Sequence, residues 1–241
     1  MTQGGHYTLI TGATKGIGRA ISDRLIDRGE QVVGIARSAD PTFRGDLILA
    51  DLSDRSARAH ALQQAAARFP VRRLVNNAGL NRMQALGDIT TDAAEEIFDL
   101  NLTVTVEATQ AVLSGMQAAG FGRIVNISSR SLLGRPGGSL YAAAKAGLVG
   151  LTRTWALELA TQGITVNCVA PGPIATEMFA KNNPPHLPRS QALIAAVPMS
   201  RLGAPDEVAA AIDYFLSMES GFTTGQTLFV CGGASINQSR F

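Results

Sequence analysis

The chain has 241 residues, 46% of them hydrophobic, 17% charged and 5% aromatic, a balance that excludes a disordered chain, a collagen-like chain and an acidic tail protein and allows one large domain. Lys plus Arg number 21 against 19 Asp plus Glu, a formal net charge of +2, which is too little for an electrostatic grip on nucleic acid. Cys168 and Cys231 lie far apart with no C-x-x-C, and His6, His60 and His186 are isolated, so neither a disulfide framework nor a metal site is expected. No apolar run approaches the ~18–20 residues of a membrane span, and the N-terminus lacks the basic start and apolar run of a signal peptide. The expectation is a cytoplasmic protein that works on small molecules.

The elements alternate in type along the chain. Tyr7 to Thr11 is a short β-branched run that breaks into Gly12-Ala13-Thr14-Lys15-Gly16-Ile17-Gly18, after which Ile21, Leu25 and Ile26 recur at helical spacing. Gly29 ends that helix and Gln31 to Ala36 supplies a second strand. Leu47 to Ala50 reads as a third strand, followed by an Ala-rich helix from about Asp54 to Arg68, and Leu74 to Asn76 as a fourth. A helical stretch runs from about Asp92 toward Gly120, Arg123 to Ser128 is a fifth strand, and Tyr141 to Gln162 a long helix. Ile164 to Val169 is a sixth strand, and a Pro-rich stretch from Pro171 to Pro188, a helix after Pro205 and a last strand at Thr227 to Val230 complete the chain.

Strands that alternate with helices predict a parallel sheet covered on both faces, because each right-handed crossover needs a helix to return the chain. No linker divides the chain, so one doubly wound α/β domain is expected over residues 1–241. The Pro/Asn-rich segment around Asn182 to Pro188 reads as an irregular insertion, either a solvated loop or a substrate lid spanning about 177–198.

The first turn spaces glycines as G-x-x-x-G-x-G at Gly12, Gly16 and Gly18. Such glycines let the backbone approach a pyrophosphate, which free N–H groups and the positive end of the following helix then stabilise. Taken alone, the motif also fits an ordinary tight strand-to-helix turn. A triphosphate P-loop is disfavoured because Lys15 precedes Gly16 and no Gly-Lys-Ser/Thr occurs. Where a dinucleotide site selective for NAD presents a carboxylate, at the end of the second strand, this chain has Ala36 and then Arg37. Arg37 together with Lys15 suits a 2′-phosphate, so NADP(H) is expected over NAD(H).

Tyr141 and Lys145 stand four residues apart on one predicted helix face. An ammonium ~4 Å from the phenol, at an effective dielectric of ~20, would pull the phenol's pKa down by up to ~3 units and suit it to general acid/base work. By itself Y-x-x-x-K is also common as an exposed helix pair.

Together, Thr11 to Gly18, Asp51-Leu52, Asn76-Asn77-Ala78-Gly79, Asn101, Ser128-Ser129, Tyr141-x-x-x-Lys145 and Pro171-Gly172 occur in an order and spacing that resemble the short-chain dehydrogenase/reductase family over nearly the full length, in the branch of the 3-oxoacyl-acyl-carrier-protein reductases. The resemblance implies a Rossmann-like parallel sheet of seven strands in the order 3-2-1-4-5-6-7. It also implies hydride transfer between NAD(P)H and a carbonyl or secondary alcohol of a small molecule, and a homotetramer or homodimer. It assigns Tyr141 as proton donor, Lys145 as the residue that tunes it and binds the nicotinamide ribose, and Asn101 as holder of a relay water. Gly12, Thr14, Lys15, Gly16, Ile17, Gly18, Arg37, Asp51, Leu52, Asn77, Ala78, Gly79, Pro171, Gly172, Ile174 and Thr176 are assigned to the cofactor, with Tyr141 and Lys145.

The serine that meets the substrate oxygen is ambiguous. Counting back from Tyr141 reaches Ser128, whereas counting along the fifth strand reaches Ser129, and the strand, as the stiffer ruler, selects Ser129. At the last strand Val230-Cys231-Gly232-Gly233 lacks the carboxylate that the family often carries. Gly120 and Gln162 stand where relatives that reduce carrier-bound acyl groups place basic residues, although Arg123, Arg135 and Arg189 are candidates to compensate. The readings kept beside a general carbonyl reductase are therefore a 3-oxoacyl-thioester reductase and a catalytically silent NADP-binding regulator. Arg82 and Arg135 are both candidates to receive a substrate carboxylate, next to an apolar wall of Met178, Phe179 and Leu187. The small residues Ala142, Ala143, Ala144, Ala146, Gly147 and Gly150 predict a helix face that packs on a second copy.

Overall fold

The structure, a computed structural model, describes residues 5–184 and 186–236, without the side chain of Arg189. The first four residues, the start of the N-terminal segment read above, lie outside it. Seven parallel strands form one sheet in the order β3-β2-β1-β4-β5-β6-β7. They are β1 (Tyr7–Thr11), β2 (Gln31–Ala36), β3 (Asp46–Leu49), β4 (Val71–Asn76), β5 (Gly122–Ile127), β6 (Ile164–Pro171) and β7 (Thr227–Val230). The helices are α1 (Gly16–Asp27), α2 (Arg55–Arg68), α3 (Thr91–Phe98), α4 (Val104–Ala119), α5 (Ser139–Leu159), α6 (Glu177–Asn182), α7 (Pro188–Ala195) and α8 (Pro205–Leu216).

The central strands are Val, Ile and Leu on both faces because both faces are covered. On one side Ala61, Leu62 and Ala65 of α2, Val104, Ala108 and Met116 of α4, and Ala156 of α5 pack on Leu9, Leu74, Ile124 and Val166. On the other, Ile21 and Leu25 of α1 and Val208, Ile212 and Phe215 of α8 pack on Ile10, Val75, Val125 and Val169. The sheet reverses direction of growth between β1 and β4, so the loops after β1, β4, β5 and β6 converge at a crevice beyond the carboxyl ends of the strands.

The elements depart from the sequence reading at three places. Strand β4 starts at Val71 rather than Leu74, because Arg73 enters the sheet paired with Glu30. The expected helix from Asp92 to Gly120 is broken by a π turn over Asp99–Thr103. The stretch of about 177–198 holds helices on either side of the Pro/Asn-rich segment: Thr176 caps α6 by accepting from the Phe179 amide at 3.2 Å, and Pro188 opens α7 at a position where its missing N–H costs nothing.

The stripe of small residues on α5 divides in two. Gly147 packs on its own chain, where a Cβ would sit 3.1 Å from Leu102, whereas Gly150 faces open space and Ala143 and Ala146 are exposed.

Candidate active site

The turn after β1 is built for close approach. A Cβ on Gly18 would lie 2.1 Å from the Gly12 carbonyl oxygen, and Gly12 itself has φ +69°, so both positions demand glycine. Lys15 provides no side-chain cap to α1, and the first turn carries no acidic residue. The N-terminal N–H groups of α1 thus face the crevice with a positive helix end behind them. Asn77, after β4, donates from Nδ2 to the Thr11 and Gly12 carbonyls at 3.0 and 3.1 Å, and the Thr11 hydroxyl accepts from the amides of Asn77 and Ala78 at 3.0 Å each. These bonds tie the β4 loop to the glycine turn. They make Asn77 a brace for the crevice. Thr14 and Ile17 are partly buried within the same turn.

Two cations flank that turn in different ways. Arg37 is exposed just past β2, and its charge contributes to holding the Asp51 carboxyl below the ordinary range, after the bonds Asp51 accepts from the Ser53 amide at 2.9 Å and hydroxyl at 2.7 Å. Lys15 reaches across the crevice to Glu177 at the start of α6, at 2.8 Å, with both side chains exposed. It is therefore engaged with α6 rather than directed toward Arg37. Leu52 is buried and gives its carbonyl to Arg58.

Beyond β5, the two adjacent serines point to different neighbours. Ser128 is buried and donates to the Lys145 carbonyl at 2.6 Å. Ser129 accepts from the Ser131 amide at 3.1 Å, and its hydroxyl is hydrogen-bonded to Tyr141. Tyr141 lies in the first turn of α5, and Lys145 one turn on is buried, its ammonium donating to the Ile127 carbonyl at 2.8 Å.

The expected electrostatics of this pair needs correcting. The ammonium stands 5.6 Å from the Tyr141 ring centroid, and removal from water dominates both groups. Burial pushes the Tyr141 hydroxyl above the ordinary phenol value, against the bond with Ser129 and the positive charge of Arg135. Burial brings Lys145 down to about 8. Cys168, buried on β6 near Lys145, has its thiol pushed up to about 11 by the same cause.

Asn101 sits in the π turn. Its Nδ2 donates to the carbonyls of Ile97 and Leu80 at 2.8 and 2.9 Å, and its Oδ1 accepts from the Leu80 amide at 3.3 Å. A Cβ on Gly79 would meet Asn101 Oδ1 at 2.6 Å and Lys145 Nζ at 3.3 Å. Gly79 is thus the point where the β4 loop, the π turn and α5 come together. A residue that sequence reasoning missed holds the turn in place. Arg58, 1% exposed, bonds Asp99 at 2.8 Å and Glu107 at 2.5 Å and joins α2 to the π turn and α4. Its signal, a lone arginine at a helix position facing the core, is visible only once the partners are known.

At the end of β6, Pro171 and Gly172 pass under the last strand, where the Gly172 amide donates to Val230 at 2.9 Å. Ile174 is buried and bridges to Gly203, and Thr176 packs on the glycine turn, its Cγ2 3.2 Å from where a Gly16 Cβ would be. At the turn Gly12, Gly16 and Gly18 thus meet Asn77, Ala78 and Thr176, Gly79 meets Asn101 and Lys145, and Arg37 stands near Asp51 beyond β2 and β3. The cradle fits a dinucleotide: the turn is free of side chains at its closest points and backed by a helix end. Among the described residues there is no cluster of His, Cys, Asp or Glu that could hold a metal, and no helix is long and apolar enough to cross a membrane.

Residues 6–186 match the short chain dehydrogenase family. The chain is 38% identical over 241 residues to the 3-oxoacyl-[acyl-carrier-protein] reductase of Vibrio harveyi, covering 95% of this chain and 97% of that protein. Among solved structures it resembles ligand-free aldohexose dehydrogenase of Thermoplasma acidophilum, with a TM-score of 0.90 at 28% identity over 98% of this chain and 96% of that one. It also resembles a blue fluorescent protein from a metagenomic library in complex with NADPH, with a TM-score of 0.86 at 34% identity over 97% and 99% of the two chains. With the glycine turn, the seven-stranded order and the Ser-Tyr-Lys wall already in place, these matches show that the chain belongs to the short-chain dehydrogenase/reductase family, the NAD(P)-dependent oxidoreductases that act on CH–OH and C=O groups.

Proposed function

We propose that the protein is an NADPH-dependent reductase of a small carbonyl compound, with Tyr141 as the proton donor. The observation that carries this reading is the convergence of Ser129 on the Tyr141 hydroxyl, with Asn101 and Lys145 meeting at Gly79 beside the glycine turn. When bound, a nicotinamide dinucleotide supplies hydride. The chain's own part is to hold the carbonyl and deliver a proton. Ser129 and Tyr141 hydrogen-bond the carbonyl oxygen, and Tyr141 gives it the proton as negative charge develops there. The Tyr141 phenol, its pKa raised by burial, is protonated at neutral pH and so can serve as the acid. Lys145 opposes the phenolate charge left behind and holds the ribose side of the cofactor, and Asn101 fixes the path by which the proton is replaced.

Lys15 and Arg37 supply the positive charge for a 2′-phosphate. Use of Lys15 there requires release of Glu177, and an exposed pair of this kind is worth only about 0.2–1 kcal/mol. The bands of Ala143, Ala146, Gly150 and Leu157 that α5 leaves exposed support a homodimer or homotetramer, and a monomer by light scattering would count against it.

A reductase acting on carrier-bound acyl thioesters is the weaker reading. Arg123, one of the arginines expected to compensate at the docking face, is buried and bonds the carbonyls of Ser217, Gly122 and Gly163, so it is not available to an acidic partner. Arg189's side chain lies outside the described residues. The test is a panel of cyclic ketones, quinones, sugars, free oxo acids and 3-oxoacyl thioesters, followed by loss of NADPH or NADH absorbance. Oxidation of NADPH with small carbonyls is expected, and no oxidation with any carbonyl would overturn the reading.

A further inference from the structure

Four polar residues form a row across neighbouring strands at the amino-terminal ends of β1, β4, β5 and β6, the end of the sheet opposite the crevice. Thr8 pairs in register with Arg73, Arg73 with Arg123, and Arg123 with Thr165. Each stands an even number of residues before Ile10, Val75, Val125 or Val169, so all four side chains leave the face that α1 and α8 cover. They are buried, with exposures of 1, 7, 4 and 6% in that order. The Thr8 and Thr165 hydroxyls and Arg73 Nε have no hydrogen-bond partner among the described residues. Three orphaned polar atoms in one row are costly to the fold unless something small meets them.

The charge in the row is also unbalanced. Arg73 is ion-paired with Glu30, just past α1, which stands 3.9 Å from Arg28 as well. Arg123 has no carboxylate: its Nε donates to the Ser217 carbonyl, just past α8, at 3.2 Å, and its Nη1 to those of Gly122 and Gly163 at 2.8 and 3.3 Å. Carbonyls satisfy N–H groups without cancelling a charge. Asp213 of α8 is taken by Arg24 and Arg28 at 2.9 and 2.7 Å. Burial, and after it the charge of Arg73, lowers the Arg123 guanidinium from its ordinary value, so the two cations feel each other.

Two guanidiniums against one carboxylate leave one positive charge where no protein partner can reach it. We propose that this row is a binding site for a small monovalent inorganic anion such as chloride, held between Arg73 Nε and the Arg123 guanidinium and flanked by the hydroxyls of Thr8 and Thr165. Bound there, the ion ties the central strands to the carboxyl ends of α1 and α8, which Glu30 and Ser217 follow.

Thermal unfolding of the full chain is followed at constant ionic strength as chloride replaces the bulky organic anion gluconate. The midpoint is expected to rise by about 2–4 °C and then level off, as it does when a ligand binds only the folded state. In Arg73→Met, where one guanidinium faces one carboxylate, the rise is expected to vanish. Glu30→Gln adds net positive charge, and its rise is expected to level off at about tenfold lower chloride. A purely structural ion pair gives no such response, so the test stands even where Arg73→Met fails to fold. Crystals grown in bromide should show an anomalous peak in contact with Arg73 Nε. No saturable rise, a rise that Arg73→Met or Glu30→Gln leaves unchanged, or a bromide-grown crystal with only water in the row would overturn the inference, and none of these bears on the reductase reading.

Discussion

The Lys145 ammonium donates to the Ile127 carbonyl at 2.8 Å, one helical turn below Tyr141 and out of contact with water. A buried charge with a single carbonyl partner is held at a cost to the fold. Because burial lowers its pKa from 10.5 to about 8, the unfolded chain binds more protons than the folded one between those values. The contribution of this group to stability therefore rises with pH through that window and is unfavourable below it. Lys145→Met should stabilise the protein by about 1–2 kcal/mol at pH 7, after about 1 kcal/mol is lost for the orphaned Ile127 carbonyl, and should remove activity. Urea denaturation at pH 7 and pH 10 checks this, and the gain should shrink at the higher pH.

The same shift sets a pH profile. Below about 8 Lys145 is an ammonium, and above it the charge that opposes the Tyr141 phenolate is lost. Carbonyl reduction should be level from pH 6 to about 7.5 and fall through a break near 8, with the phenol still protonated there because burial raises its pKa. Initial rates with a neutral ketone across pH 6–10 would show the break, and a rate that climbs through pH 8 would contradict it.

The two serines make separable predictions. Ser129→Ala removes a partner of the Tyr141 hydroxyl and should lower kcat by about 10²-fold or more, as loss of an oxyanion donor does, with the fold intact. Ser128→Ala leaves the Lys145 carbonyl without its donor and should cost about 1 kcal/mol of stability with a smaller effect on kcat. Turnover abolished by Ser128→Ala alone, in a folded protein, would reverse the assignment.

Arg37 is exposed and within reach of Asp51 electrostatically. Arg37→Asp should move the ratio of kcat/KM for NADPH over NADH toward NADH by at least tenfold. An unchanged ratio would take Arg37 out of cofactor selection and leave Lys15 as the remaining candidate.

What could be read from the residues alone was whatever local chemistry dictates. The apolar, β-branched runs located all seven strands, and the glycine turn declared itself because a Cβ at Gly18 has no room. What escaped depends on partners distant in sequence. Arg73 extends β4 only because Glu30 neutralises it, and the π turn at Asn101 is held by Leu80 and by Arg58 through Asp99. The field at Tyr141 depends on distant partners in the same way. Four-residue spacing puts Lys145 on the same face, but it does not reveal that Lys145 is buried, that removal from water raises the Tyr141 phenol or that the ammonium turns to Ile127. Lys15 was visible as a charge, and its bond to Glu177, 162 residues away, was not.

The measurement closest to the centre of this account is carbonyl reduction by Tyr141→Phe alongside NADPH binding to the same variant. Removing one hydroxyl should lower kcat by about 10²–10⁴-fold, the usual worth of a positioned general acid, while NADPH binding followed by fluorescence changes no more than a few-fold. A Tyr141→Phe protein that binds NADPH and reduces carbonyls at the original rate would contradict it.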